Sequence, residues 1–340
     1  MEVQYYHHHD EFLLEGGGRL PGLTVAYHTY GEMDPGGGNV AWVCHALTAN
    51  SDVREWWPGT VEAGRFLDPS RYFVVCANIL GSHYGTTGPL SANPETGRPW
   101  YGSFPGVTVR DMARCHKLLA DHLGVKRVEL LVGSSIGGFQ CLELAVMYPG
   151  FARRVALIAT AARAYPWTIA LNESQRMAIE LDPTFGEERA DAGGAGMAVA
   201  RSIALLSYRG QQAYDKTQDE AGREARLEGF RAASYQRYQG EKLRRRFNAY
   251  SYHLLTRAID SHDASRGRGS MEEALGGIEA RCLIVCISSD ILFPASAHEV
   301  FRRCIPGARY AAIDSDFAHD GFLIEHEKLN NIILNFLRDE

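Results

Sequence analysis

No stretch of about 18 apolar residues occurs in the 340-residue chain, so it carries no membrane-spanning pattern. A basic tail is also missing, and the formal charge of -6 argues against general nucleic-acid binding. The start of the chain shows no signal-peptide pattern. Cysteine is sparse: seven residues, an odd number, scattered through apolar settings such as "VVCAN" and "LIVCIS". They read as reduced, buried thiols rather than disulfides or zinc ligands, so a cytoplasmic location is expected and a metal site is not. Cys282 and Cys286 fall on the same face of one strand, which suits packing better than chelation. The His7–His9 run reads as an exposed polar lead-in to a strand. What the chain does have is an apolar share of 45%, ordinary for a globular core.

The segment "FLLEGGGRLPGLTVAYHTYGEM" alternates around a glycine-rich turn and predicts an N-terminal antiparallel hairpin. Apolar runs follow at 40–44, 72–77, 128–132, 155–159, 283–287 and 310–313, with helical patterns between several of them, including 107–123 and 295–304. Strands alternating with helices imply an α/β fold with a mostly parallel sheet covered on both faces. A last helix is predicted over 320–337, with Leu323, Leu329, Ile332, Ile333 and Phe336 on one apolar stripe. Between 164 and 277 no strand-like run appears, although alternation should supply one within about 40 residues. We read 164–277 as a helical lid inserted into a core formed by 1–163 and 278–340, with "ADAGGAG" as a loose turn inside it. Open sheets bind ligands at their C-terminal edge, so a lid there covers the chemistry.

The stretch "LLVGSSIGGFQ" crowds glycine around two serines. Only Ser135 has glycine two places before it (Gly133) and two places after (Gly137). That is the G-x-S-x-G pattern of a sharp strand-to-helix turn, where small neighbours make room for a strained serine. Ser134 is filler on the sheet side. A serine hydroxyl needs a base, and the base needs a carboxylate to orient it. Asp290 in "LIVCISSDILFP" and His319 in "IDSDFAHDGFLIE" each follow a strand, in the order this turn leads one to expect. Asp314 and Asp316 lie too close to His319 along the chain to fit. For the oxyanion, the amide of Ile136 is one candidate donor, and Leu47, in the turn after "VAWVC", is the second. His45 is read as a buried hydrogen-bonding histidine, with the backbone carrying the chemistry.

Several ordered segments, "HALTAN", "NILGSHYGTTGP", "FPGVTVRDM", "GSSIGG", "GMAVARSIALLSYR", "SYQRYQGEKLRRRFNAYSYHLLTRAIDSHD", "SSDILFP" and "AHDGFLIE", together resemble the homoserine O-acyltransferases of the α/β-hydrolase fold. The resemblance spans nearly the whole chain and implies acetyl transfer from acetyl-CoA, as co-substrate, to the hydroxyl of L-homoserine, early in methionine biosynthesis. It implies no bound cofactor, and a homodimer formed through the lid. The chain departs from the family at Ala49-Asn50-Ser51-Asp52, where "GD" commonly follows "HALT", and at Ala318, where glycine is frequent. At Gly321 the family has alanine.

A zwitterionic acceptor needs a cation for its carboxylate and an anion for its ammonium. Asp320, beside His319, is a candidate for the ammonium, with a helix cap as its other reading. The resemblance points to Arg201 for the carboxylate, with Arg209 as the fallback. Arg244, Arg245 and Arg246 read as a solvated helix face, or else as contacts to CoA phosphates. Three other functions remain open to the sequence. A serine hydrolase of small esters uses the same three residues without the charged clamp. Succinyl-CoA as donor, or serine as acceptor, differs by a carboxylate or a methylene. A binding module needs no intact Ser135, Asp290 and His319.

Overall fold

The computed structural model describes residues 2–221 and 227–339. Its strands are β1 Gln4–His8, β2 Phe12–Leu13, β3 Arg19–Leu20, β4 Leu23–Tyr30, β5 Val40–Cys44, β6 Phe73–Ala77, β7 Val128–Ser134, β8 Ala152–Ile158, β9 Arg281–Ile287 and β10 Arg309–Ile313. Its α-helices are α1 Val53–Trp56, α2 Val109–His122, α3 Ile136–Met147, α4 Pro166–Glu180, α5 Gly194–Gln218, α6 Arg231–Arg244, α7 Ala249–Asp260, α8 Met271–Gly276, α9 Ala295–Cys304, α10 Gly321–Ile324 and α11 His326–Arg338.

Eight strands form one sheet in the order β1-β4-β6-β5-β7-β8-β9-β10, in which only β4 runs against the rest. The central strands are continuous apolar runs because both their faces are covered. In β5, Trp42 and Cys44 enter a core with α2, α3 and α9, whereas Ala41 and Val43 enter a second core with α11 and Trp57. The strand order reverses between β5 and its neighbours β6 and β7, so the loops leaving β5 and β7 diverge from one crevice.

The N-terminus differs from the predicted hairpin. Strands β2 and β3 make a two-residue ladder around the turn at Gly17, and β4 leaves it to join the main sheet. The partner of β4 is β1, "QYYHH", whose side chains are mostly exposed and so carry no apolar alternation. His7 and His8 therefore lie within an edge strand, and His7 Nδ1 is 3.0 Å from Thr24 Oγ1. The predicted last helix is broken in two. The break falls at Glu325, whose backbone leaves the helical region, and one turn before it Trp57 Nε1 donates to the Phe322 carbonyl at 3.0 Å.

Between β8 and β9 the described residues form the helices α4–α8 and no strand. An antiparallel bridge between Arg163 and Asp263 joins the two ends of this excursion, with Ala164 N–H donating to His262 O and Ala264 N–H to Ala162 O. Beside it, the buried Glu143 on α3 accepts from Arg110 Nε at 3.3 Å and Arg268 Nη2 at 2.7 Å, tying the base of the helical excursion to the core. The stretch 190–196, expected as a loose turn, is tightly packed. A β-carbon on Gly196 would lie 2.4 Å from the Ala178 carbonyl, so glycine lets α5 start directly against α4. The Gly196 N–H donates to Asp182 Oδ2 at 2.9 Å.

The seven cysteines carry free thiols, and all but Cys286 are buried. Burial pushes the thiols of Cys44, Cys76, Cys115 and Cys282 up. Among the described residues no helix is long and apolar enough to cross a membrane.

Candidate active site

The turn from β7 into α3 holds Ser135 at φ 56° and ψ -127°, a conformation that L-residues rarely adopt. The flanking glycines are required by contact. A β-carbon on Gly133 would lie 2.4 Å from the Gly137 carbonyl, and one on Gly137 would lie 2.1 Å from the Cys44 carbonyl. Thr160, just past the end of β8, donates from its hydroxyl to the Ser135 carbonyl at 2.8 Å, and the Ser135 N–H donates to Ile158 O at 3.0 Å. The serine is thus fixed from the neighbouring strand. Thr160 carries no motif that a single sequence could reveal.

His319 Nδ1 lies 2.8 Å from Asp290 Oδ2, and both side chains are buried. The other oxygen of Asp290 accepts the amides of Leu292 at 2.8 Å and Phe293 at 3.0 Å. Three hydrogen bonds over both oxygens therefore hold the carboxylate in place, and it fixes the imidazole with Nε2 as its remaining nitrogen. Asp314 instead accepts from Ser288 Oγ at 3.0 Å, and Asp316 pairs with Lys216, so neither competes for the histidine. A second residue absent from the sequence reading is Ser289. Its hydroxyl donates to Ser315 O and accepts the Ala318 N–H at 3.0 Å, which locks the loop of Asp290 to the loop of His319.

Ser135 and His319 line one cavity of about 370 Å³, together with Leu47, Arg201, Tyr208 and Asp320. The imidazole is boxed by the rings of Tyr208 at 5.7 Å, Phe293 at 5.5 Å and Phe322 at 5.5 Å. The turn after β5 is built from His45, which is fully buried. Its Nε2 accepts the Ile79 N–H at 3.0 Å, so its Nδ1–H donates to the Ala46 carbonyl at 2.8 Å. The Ala49 N–H reaches the same carbonyl at 3.0 Å. Because C=O and N–H of a trans peptide point opposite ways, pinning the Ala46 carbonyl aims the Leu47 N–H away from it. Among the described residues neither the Leu47 nor the Ile136 amide donates to the protein.

Arg201 lines the cavity, its guanidinium 5.2 Å from the centroid of the Tyr208 ring. Asp320 lines it too, but its Oδ2 already accepts from Arg209 Nε at 2.8 Å. Arg209 is thus committed to Asp320, which leaves Arg201 as the cation of the pair facing the cavity. The arginine run divides. Arg244 and Arg245 pair with Glu241 on an exposed face, but Arg246 turns inward and contacts Thr48 and Tyr84, contrary to its reading as solvated.

The sequence matches the family described as alpha/beta hydrolase fold over residues 43–325. It is 41% identical over 336 residues to a homoserine O-acetyltransferase from Cyclobacterium marinum, covering 99% of this chain and 95% of that one. Among solved structures, a homoserine O-acetyltransferase from Bacillus anthracis superposes with a TM-score of 0.90 at 24% identity, covering 100% of this chain and 98% of the other. An esterase, E22, superposes with a TM-score of 0.89 at 22% identity, covering 99% and 100%. These two structural likenesses speak to the fold, which a transferase and an esterase share.

Two outcomes follow. Ala318 holds φ 44°, and a β-carbon on Gly210, at the kink of α5, would lie 2.9 Å from the Ala318 β-carbon. Gly210→Ala is expected to cost about 1–3 kcal/mol in thermal unfolding and to disturb the His319 loop, with Ala318→Gly relieving only the steric part. Burial holds His45 neutral down to about pH 4 in the folded state, whereas the unfolded chain protonates it near 6.5. The unfolded state then binds the extra proton, so stability should fall as pH drops through that window, by up to about 1.4 kcal/mol per unit. Urea unfolding across the window should fall less steeply for His45→Asn.

Proposed function

The chain belongs to the homoserine O-acetyltransferases, enzymes of the α/β-hydrolase family, and on that premise we propose that it moves the acetyl group of acetyl-CoA to the hydroxyl of L-homoserine. The product would feed methionine synthesis. What carries this reading is one cavity that combines Ser135 and the Asp290-bound His319 with a cation and an anion, Arg201 and Asp320. A zwitterionic amino acid needs both charges, and a plain ester hydrolase needs neither.

The chemistry runs in two acyl transfers. His319, oriented by Asp290, takes the Ser135 hydroxyl proton while Oγ attacks the thioester carbonyl. The Leu47 and Ile136 amides stabilise the oxyanion. The C–S bond breaks, His319 returns the proton to the departing sulfur, and acetyl-serine remains. His319 then takes the proton of the homoserine hydroxyl, whose oxygen attacks the acetyl carbon, and Ser135 leaves and recovers the proton. Arg201 binds the acceptor carboxylate, and the free Oδ1 of Asp320 binds its ammonium.

Water competes for the acetyl-serine. With water at about 55 M and an amino acid near 1 mM, transfer must be favoured by roughly 10⁵-fold, near 7 kcal/mol, which orientation of a bound acceptor supplies. The helices α4–α7 narrow the access of water to the site. We assign them a second task, homodimerisation, because they leave apolar side chains exposed, among them Met177, Leu181, Val199, Leu206 and Tyr238.

Thiol release tests the reaction with acetyl-CoA or succinyl-CoA, each with homoserine, serine or no acceptor. Rapid release is expected only for acetyl-CoA with homoserine. Steady release without acceptor would mark a hydrolase, and preference for succinyl-CoA or serine would reassign the substrate. Initial-rate lines should be parallel, since intersecting lines would contradict the covalent intermediate. Ser135→Ala should lose on the order of 10⁴-fold or more in turnover while staying folded. Sedimentation should give twice the chain mass, and Leu206→Glu with Val199→Glu should give one chain mass.

A further inference from the structure

We propose that Arg246, just past the end of α6, sets the oxyanion hole by holding the turn that carries the Leu47 amide, and so acts as a positioning residue supplied by the helical excursion. The proposal rests on the reading of Leu47 as an oxyanion donor. Leu47 and Thr48 are the central residues of the turn closed by Ala49 N–H to Ala46 O. From the core side, His45 pins the Ala46 carbonyl. From the opposite side, Arg246 Nη1 donates to the Thr48 carbonyl at 2.5 Å, and Nη2 donates to the Thr48 hydroxyl at 3.2 Å. The turn bearing the Leu47 N–H is therefore held between two braces, one from the sheet on its first peptide and one from outside the sheet on its third.

The outer brace is itself anchored. The second hydrogen of Nη1 goes to Tyr84 Oη at 2.8 Å. Two residues on, Asn248 caps α7 through Ser251 N–H at 2.8 Å and places its Nδ2 3.0 Å from His83 Nδ1. The corner between α6 and α7 thus docks on the loop of His83 and Tyr84, and that docking delivers the guanidinium to the turn. Arg246 also lines the cavity, but three of its five N–H hydrogens are spent on protein acceptors, two of them on Thr48 in the turn. Withdrawing this corner would release the turn, so the hole is complete only when the helices are seated.

Kinetics on two acyl donors test this. Acetyl-CoA carries phosphates, whereas p-nitrophenyl acetate carries none, yet both pass through the same oxyanion. Arg246→Met is expected to lower kcat on the order of 10²-fold for both donors, the scale of losing one oxyanion donor, with the KM for acetyl-CoA little changed. Arg246→Lys should fall between, since one ammonium reaches the Thr48 carbonyl without the paired geometry. A raised KM for acetyl-CoA beside normal turnover of p-nitrophenyl acetate would make Arg246 a phosphate contact and overturn the proposal. Wild-type kcat on both donors would also overturn it. If Arg246→Met fails to fold, Arg246→Lys decides by the same two criteria. Ser135→Ala, run alongside, must be inactive on both donors. Activity there would refute the acyl-serine reading itself, whatever Arg246 does.

Discussion

Where the Cys44 carbonyl meets the α-carbon of Gly137, there is room for a hydrogen and nothing larger. That approach sets the end of β5 against the first turn of α3, and the rest of the site depends on it. It puts the two unpaired amides, of Leu47 and Ile136, at the mouths of adjacent strands although they are remote in the chain. It also explains the clustered glycines, because Gly133 and Gly138 face equally close neighbours in the Gly137 carbonyl and the Thr160 side chain. The strain at Ser135 is over-determined by those contacts, so the serine keeps its position without help from a ligand.

Around this rigid centre the helical excursion does more than roof the cavity. Its base is fixed by the bridge at Arg163 and Asp263 and by the arginines on Glu143. Its interior face supplies Arg201 and Tyr208 to the cavity, and the kink at Gly210 lets α5 lie against Ala318, next to the histidine. Charge is arranged economically there. Arg209 offsets part of Asp320, so that Arg201 and the second carboxylate oxygen of Asp320 face the cavity beside His319, while Glu55, Lys242 and Arg246 line it further along.

Much of this was legible from residue order. Buried parallel strands advertise themselves as uninterrupted apolar runs, and the glycine spacing around Ser135 has a direct steric cause. The positions of Asp290 and His319 after their strands were legible for the same reason. What escaped the sequence were contacts made by residues with no pattern of their own. β1 is polar because it is an exposed edge, so nothing in "QYYHH" betrays its pairing with β4. The break after Ile324 coincides with a hydrogen bond from an indole some 265 residues away in the chain, a contact no local propensity signals. Ser289, Thr160 and the inward turn of Arg246 likewise depend on tertiary neighbours. The alanine at 318, a departure from the family, sits in the left-handed region where glycine is the easier residue.

The sequestered cysteines have a practical corollary. With their sulfurs walled off from solvent, alkylating agents and mild oxidants find little to attack on the native protein, and Cys286 alone stands partly in their reach. A colour reagent for free sulfhydryls therefore meets scarcely any background from the native protein's own side chains.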